Sequence, residues 1–325
     1  METKTRKRKT QTKTQTKTQS KTQSKTQSKT QKQRKKFIKS KCSPLVKRNP
    51  DKKPFSCYTD QQLVKIKNLW NSRHPDCKIS ETDSKEIWQK LRDNMSNVCN
   101  RESCWLKQKF AKNDLDKTLL QHSFAPKSPE VWKKNPTEWL TSIDITNVMQ
   151  QYEKAYPSFE FIGPSPIDFD THVSSSYSSE GKQECVWQEL CEFQLFDYMK
   201  KGKNKIGVIF NLDPHYLDGS HWVALYIDVK RHIIFYFDSN GESAPEEVIR
   251  LVKKIKKQGK SHGIKFKFDS NEGIEHQQKN TECGIYCLYF LIQLLKEAKT
   301  TNYFKETLIR DDVMQRLRNI YFNIY

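Results

Sequence analysis

Apolar residues first recur at helical spacing in DQQLVKIKNLWN (60–71), where Leu63, Ile66, Leu69 and Trp70 share a face. A second stripe of Ile87, Trp88, Leu91 and Met95 predicts a helix over 83–95, opened by Asp83 with Glu86 in a capping-box pattern. Trp105, Leu106 and Phe110 mark a third, shorter helix over 102–110. These three predict a small helical arm domain over 54–120. Residues 121–137, with three prolines, read as a linker. Beyond it, Ile145, Val148, Met149 and Tyr152 predict a helix over 144–156. FIGPSPIDFD (161–170) reads as a Pro-rich loop and HVSSSYSSEGK (172–182) as a flexible surface excursion. Trp187, Leu190, Cys191, Leu195 and Phe196 predict a helix over 184–200.

The period then changes. Ile206–Leu212, His221–Val229 and His232–Phe237 read as strands, the last two joined by a tight turn at Lys230 and Arg231. A helix over 245–257, a strand over 264–268 and a wholly apolar helix from Cys283 to about Lys296 follow. Helices, then a clustered meander of strands, then helices again predict an α+β fold with helices packed on a central, mostly antiparallel sheet.

Charge separates the chain into two parts. Residues 1–53 hold 20 Lys/Arg and two acids, whereas the other 272 residues carry 38 Lys/Arg against 36 Asp/Glu. The body is therefore nearly neutral and the first segment is a strongly basic tail. From Thr10 to Gln31 a Thr-Gln-Thr/Ser-Lys unit repeats without one apolar residue, so residues 1–53 are expected to be disordered. Such a tail suits DNA or another acidic surface, a nuclear-import tether, or simple solvation. No run approaches the roughly 20 apolar residues of a membrane span, and Ile285–Leu295 is interrupted by Gln293. No apolar stretch follows the basic start, so secretion is not expected. Nine scattered cysteines, an odd number, suggest reduced thiols in an intracellular setting. No C-x-x-C pair and no phosphate-cradling glycine motif occurs, so neither metal nor cofactor is expected.

A thiol nucleophile needs a base, a group that orients the base, and donors for the oxyanion. Cys283, in Thr-Glu-Cys-Gly-Ile-Tyr-Cys, sits at a predicted helix start, where the dipole and free N–H groups favour a thiolate. Gly284 removes a side chain that would crowd an incoming peptide. His221 opens one predicted strand and Asp238 ends the next, so an antiparallel pairing brings them together. Each also has a structural reading: Asp238 suits a turn, His221 a satisfied sheet histidine, and Cys287 the core. His74, His122, His172, His215, His232, His262 and His276 have no comparable context.

Together these residues resemble the ubiquitin-like-protein protease superfamily, the papain-like group of SUMO and adenovirus-type cysteine proteases. Its pattern is His-Trp on one strand, Asp-Ser ending the next, then Gln and, shortly after, acidic-Cys-Gly. Here it reads HWVALYIDVKRHIIFYFDSNG and QQKNTECGIYC, with His221 and Asp238 17 residues apart and Gln277 and Cys283 six apart. The resemblance covers roughly 139–295, from Trp139-Leu140 onward, and implies a catalytic domain over 138–325. It implies Gln277 as the side-chain oxyanion donor, Gln278 being the alternative register, with the Cys283 N–H as the other donor. Trp222 would pack near the diglycine end of a substrate. The arm helices, CWLKQKF and PSPIDFD are similar to the virion proteases of large nucleocytoplasmic DNA viruses, mimivirus-type and asfarvirus-type. That likeness implies a cysteine endopeptidase that cuts viral structural precursors after Gly-Gly-Xaa sites, in the virion or host cytoplasm. The alternatives are a SUMO or ubiquitin-like deconjugase acting on host proteins, an acetyltransferase on the same triad, and a nucleic-acid-binding structural protein.

Overall fold

The apolar runs of the meander are buried on both faces because helices cover both sides of the sheet they form. The computed structural model describes residues 36–111, 123–174 and 183–324. Strands β1 (Phe159–Pro166), β4 (Lys205–Asn211), β5 (Trp222–Asp228), β6 (Ile233–Phe237) and β7 (Lys267–Ser270) form one sheet in the order β1-β4-β5-β6-β7. A separate ribbon pairs β2 (His172–Ser174) with β3 (Gln183–Cys185). Helices are α1 (Pro44–Arg48), α2 (Asp60–Arg73), α3 (Ser84–Met95), α4 (Ser142–Ala155), α5 (Gln188–Cys191), α6 (Leu195–Lys200), α7 (Glu246–Ser261), α8 (Cys283–Leu295), α9 (Thr301–Glu306) and α10 (Asp311–Tyr321).

Alternation along the strands divides the core. Phe159, Ile209, Ala224, Tyr226, Phe235 and Phe237 pack toward α8, with α4 and α10 completing that layer. Val208, Phe210, Leu225, Ile227 and Ile234 face the other way, against Val248, Leu251, Val252 and Ile255 of α7. Helix α7 is thus amphipathic, its opposite face carrying lysines. Helix α8 is different: every residue except Gln293 is buried, so it is apolar all round.

The sheet is mixed rather than mostly antiparallel. β4–β5 and β5–β6 are antiparallel, as expected, but β1–β4 and β6–β7 are parallel. Parallel neighbours need a crossover of a dozen or more residues, and α7 supplies one between β6 and β7. The expected Pro-rich loop over 161–170 is largely β1. Its prolines are tolerated because β1 is an edge strand, where a missing N–H costs no ladder bond. The strand expected over 264–268 is shifted to Lys267–Ser270, and the helix expected over 184–200 is broken into α5 and α6. Part of the expected surface excursion is the β2–β3 ribbon; residues 175–182 lie outside the described residues.

Two compact units divide the chain, one of residues 1–39 and 64–112, the other of 40–63 and 113–325. In the smaller, Asp83 Oδ1 accepts from the amides of Lys85 and Glu86 at 2.9 and 3.0 Å and so caps α3. The stripe Ile87, Trp88, Leu91 and Met95 is buried as its spacing predicts, and the Trp88 indole donates to Glu102 at 2.6 Å. The expected third helix is a 3-10 segment, Glu102–Lys107.

In the larger unit, chain read as tail and linker is tied down. Residues 1–35 lie outside the described residues, as do 112–122, but 36–53 are ordered and include α1. The Asn323 amide donates to the Lys41 and Ala125 carbonyls at 3.0 and 2.8 Å, and the Lys41 amide donates back to Asn323. Trp132, in the supposed linker, is buried in the core. The expectation of reduced thiols is also corrected. Cys42–Cys57, Cys99–Cys104 and Cys185–Cys191 are disulfides, leaving Cys77, Cys283 and Cys287 as free thiols. The count was odd because three thiols stay unpaired, and each bonded pair lies within 15 residues along the chain. Among the described residues no helix is long and apolar enough to cross a membrane.

Gly207 lies where β4 meets α8. A Cβ there would stand 3.0 Å from the Phe159 ring and 3.1 Å from Leu291 Cδ1. Gly207→Val should therefore overpack this layer and destabilise the protein by about 1–3 kcal/mol. Thermal unfolding of the two proteins checks this, and an unchanged Tm would contradict it.

Candidate active site

The register of the central strands brings the expected site together. Asn211 pairs with Trp222, and Ala224 with Phe237, so His221 just before β5 and Asp238 just after β6 meet at one end of the sheet. The His221 Nε2–H donates to Asp238 Oδ1 at 2.7 Å. The imidazole also engages the Cys283 thiol, leaving Nδ1 as the nitrogen that can take the thiol proton. Cys283 is the first residue of α8 and is buried. Gly219 makes the approach to His221 with φ +101°; a Cβ there would collide with the Asn211 amide at 2.6 Å. Gly284 has a role different from the expected one. The atom it spares is Leu140 Cβ, 3.0 Å from where its own Cβ would be.

Gln277 is buried beside this group. Its Oε1 accepts from Ser239 Oγ at 3.0 Å, which leaves the amide NH2 as the free donating end. Gln277 N donates to the Ser239 carbonyl at 2.9 Å. Ser239, second residue of the Asp-Ser pair, therefore orients the oxyanion candidate. The backbone N–H of Gln278, the alternative register, donates to Asp311 at 3.2 Å, and Gln278 lines the same cleft as Gln277. The Trp222 indole donates to the Leu140 carbonyl at 3.0 Å, joining β5 to the Trp139-Leu140 segment.

Asp238 is held on its own backbone by Asn271, which accepts from its N–H at 2.9 Å and donates to its carbonyl at 2.7 Å. No motif pointed to Asn271; only the fold brings it 33 residues back to the site. His276 was likewise unremarked. Its Nε2–H donates to the Phe304 carbonyl at 3.0 Å and its Nδ1 accepts from Ile309 N at 3.2 Å, and burial lowers its pKa, so it is a neutral strut beside Gln277. His215, also passed over, pairs with Asp168 of the PSPIDFD segment at 2.6 Å.

A cleft of about 590 Å³ is lined by His221, Gln277, Asn240 and Trp139. Trp139 also borders a second groove of about 610 Å³, which continues past Trp222 and Gly219. Glu138, Asp144, Asp213 and Asp218 line that groove, and among the described residues no Lys or Arg does. One His/Cys cluster occurs among the described residues, His172 with Cys185 and Cys191. Its two sulfurs are joined as a disulfide, which leaves the imidazole as its one ligand.

Thiol, imidazole and carboxylate assembled at a helix N-terminus, with an amide donor alongside, are the layout of a cysteine protease. Residues 201–325 match the Ulp1 protease family, C-terminal catalytic domain. The chain is 27% identical over 297 residues to a putative thiol protease of Acanthamoeba polyphaga mimivirus, spanning 84% of this chain and 90% of that one. It is 28% identical over 260 residues to a cysteine protease of African swine fever virus, spanning 77% and 92%. A crystal structure of the African swine fever virus protease superposes with a TM-score of 0.59 at 22% identity, over 88% of this chain and 96% of that one, and shares its fold. Residues 201–325 thus resemble the catalytic domain of that family, and the relatives matched along most of the chain are thiol and cysteine proteases. These comparisons support protein substrates and give no support to nucleic-acid binding by the basic tail.

Burial pulls the His221 pKa down, but hydrogen bonds and charge from Asp238 and Cys283 outweigh it and push it up to about 9. A histidine pKa raised on folding contributes stability that is fully present below its unfolded value of about 6.5. That contribution is lost as the pH rises through about 9. Denaturant unfolding from pH 6 upward should show the wild type losing more stability across this window than Asp238→Asn. Parallel losses would mean that Asp238 does not hold the proton on His221.

Proposed function

We propose that the protein is an endopeptidase in which Cys283 is the nucleophile and His221 its base, with Asp238 orienting the imidazole. Gln277 and the Cys283 N–H are the oxyanion donors, and the substrates are viral structural precursors cut after Gly-Gly-Xaa sites during particle maturation. The observation that carries this reading is the 2.7 Å hydrogen bond from His221 to Asp238, together with the charge of Cys283 acting on the same imidazole from the buried first position of α8. Similarity to thiol proteases of mimivirus and African swine fever virus along most of the chain supports the viral setting. The site of action is the virion or the host cytoplasm.

In this mechanism the proton given up by the thiol already sits on His221 Nδ1, in keeping with a pKa of about 9, while Nε2–H stays on Asp238. The sulfur adds to the scissile carbonyl, and the oxyanion is met by the Gln277 amide and the Cys283 N–H. Collapse expels the amine, which leaves with the proton from Nδ1, and the acyl group remains as a thioester on Cys283. Water, deprotonated by the same nitrogen, then hydrolyses the thioester. Trp139 lines both cavities and Trp222 the outer one, and small glycine residues pass beside these indoles most readily.

The second reading is removal of a ubiquitin-like modifier, favoured by the family match and by a relative from African swine fever virus named as a SUMO-1 cysteine protease. The bond chemistry is the same; the substrates differ. Linear Gly-Gly-Xaa peptides and C-terminal SUMO fusions, offered in parallel, separate the two.

On a Gly-Gly-Xaa panel, Cys283→Ala should abolish turnover and His221→Ala should lower kcat by at least about 10²-fold. Asp238→Asn should cost less than either, since it orients and does not itself react. Wild-type rates in Cys283→Ala would end the proposal. The carboxylates of the outer groove should favour Lys over Glu in the substrate segment preceding the glycines. kcat/KM for otherwise identical peptides should differ by several-fold, with the gap shrinking as salt is raised.

A further inference from the structure

The C-terminal helix α10 contains a cation that solvent does not reach. Arg318 is 3% exposed, and Glu282, the residue immediately before Cys283, is fully buried. The Arg318 Nε–H donates to Glu282 Oε2 at 2.8 Å. Its Nη1 donates to the Glu138 carbonyl at 2.6 Å, and its Nη2 to the carbonyls of Thr281 at 3.0 Å and Thr137 at 3.4 Å. Its guanidinium carbon lies 4.5 Å from the centre of the Trp132 ring.

One side chain therefore grips two pieces of the active site that are distant in sequence. Thr137 and Glu138 lead directly into Trp139, which borders both cavities. Thr281 and Glu282 lead directly into Cys283, whose N–H is an oxyanion donor in the mechanism above. Only a planar fork with five N–H donors can satisfy a carboxylate and three carbonyls in different directions; an ammonium is a compact point charge. Two turns earlier on the same face of α10, Asp311 accepts from the amides of Gln278 and Lys279 at 3.2 and 2.9 Å and from the Tyr286 hydroxyl at 3.0 Å. That fixes the chain just beyond Gln277 and the first turn of α8. The helix that closes the fold thus braces the oxyanion segment at one end and the nucleophile and its Trp139 border at the other.

We propose that Arg318 is a positioning residue of the protease, setting the Trp139 border through Thr137 and Glu138 and the Cys283 N–H through Thr281 and Glu282. The proposal rests on the catalytic reading above and adds a residue outside the triad. The two halves of the grip have different kinetic signatures. Arg318→Lys retains a cation for Glu282 but cannot span to Thr137 and Glu138. It frees the substrate-binding border, so KM should rise about tenfold, the equivalent of one lost charge-assisted bond, with kcat changed much less. Glu282→Gln keeps the carbonyl contacts but removes the ion pair beside the nucleophile, so kcat should fall about tenfold with KM nearly unchanged.

The experiment is steady-state cleavage of a Gly-Gly-Xaa peptide by the full chain, well below the Tm of each variant. Arg316→Ala, whose side chain pairs with exposed Asp312 on the outer face of α10, is the control and should match the wild type. Opposite KM and kcat signatures support the proposal. Equal effects on both parameters in both variants, or loss of stability alone with wild-type kinetics, overturn it. If Arg318→Lys does not fold, Glu282→Gln decides by itself, because a purely structural pair would lower Tm and leave kcat alone. Turnover by the wild type separates the two levels: without it the catalytic reading fails before the positioning role is tested.

Discussion

The placement of Cys283, the proposed nucleophile, follows from a helix that has no outside. Helix α8 buries twelve of its thirteen residues, with the sheet on one side and α4 and α10 on the other. A helix enclosed in this way cannot slide or rotate without opening cavities on several sides at once, each costing kilocalories. Cys283 is its first residue, so the sulfur inherits the rigidity of the whole core while standing at the one end where backbone N–H groups are free. Gly284 belongs to the same constraint, since only its missing Cβ lets the first turn close against Leu140.

Around that fixed point a cluster of buried polar groups is gathered at one end of the sheet. Asp238, Ser239, Asn271, His276, Gln277, Glu282 and Arg318 are all buried, and each is bonded to another member of the site or to the chain next to it. Unpaired, any of them would cost free energy; paired, they hold one another's orientation. Asn271 holds the backbone of Asp238 and Ser239 holds the Gln277 amide, so the proposed acid and oxyanion donor are oriented by groups outside the proposed chemistry. The sequence pair Asp-Ser is thus one structural device, its first residue turned to the imidazole and its second to the amide.

The acidic lining of the outer groove contrasts with the lysine-rich outer face of α7 on the far side of the sheet. A body that is neutral in sum is therefore polarised in space, and the field at the substrate path is set by the four carboxylates nearest it.

Local pattern was sufficient for α3, α4, α7 and the β4–β5–β6 meander, where amphipathic stripes and a tight turn specify burial and pairing between neighbours. The spacing of His221, Asp238, Gln277 and Cys283 was legible for the same reason: adjacent antiparallel strands and a helix start are short-range features. Parallel pairing of β1 and β7 was not, because it depends on where a crossover returns the chain, and prolines in β1 made an edge strand look like a loop. Disulfides were hidden because spacing does not say which thiols meet. Asn271, Ser239, His276 and Arg318 carry no local signature of their roles; each matters through a partner 28 to 181 residues away. Residue type and periodicity decide what a segment can bury, whereas the packing of one layer on another decides which distant polar groups must satisfy each other.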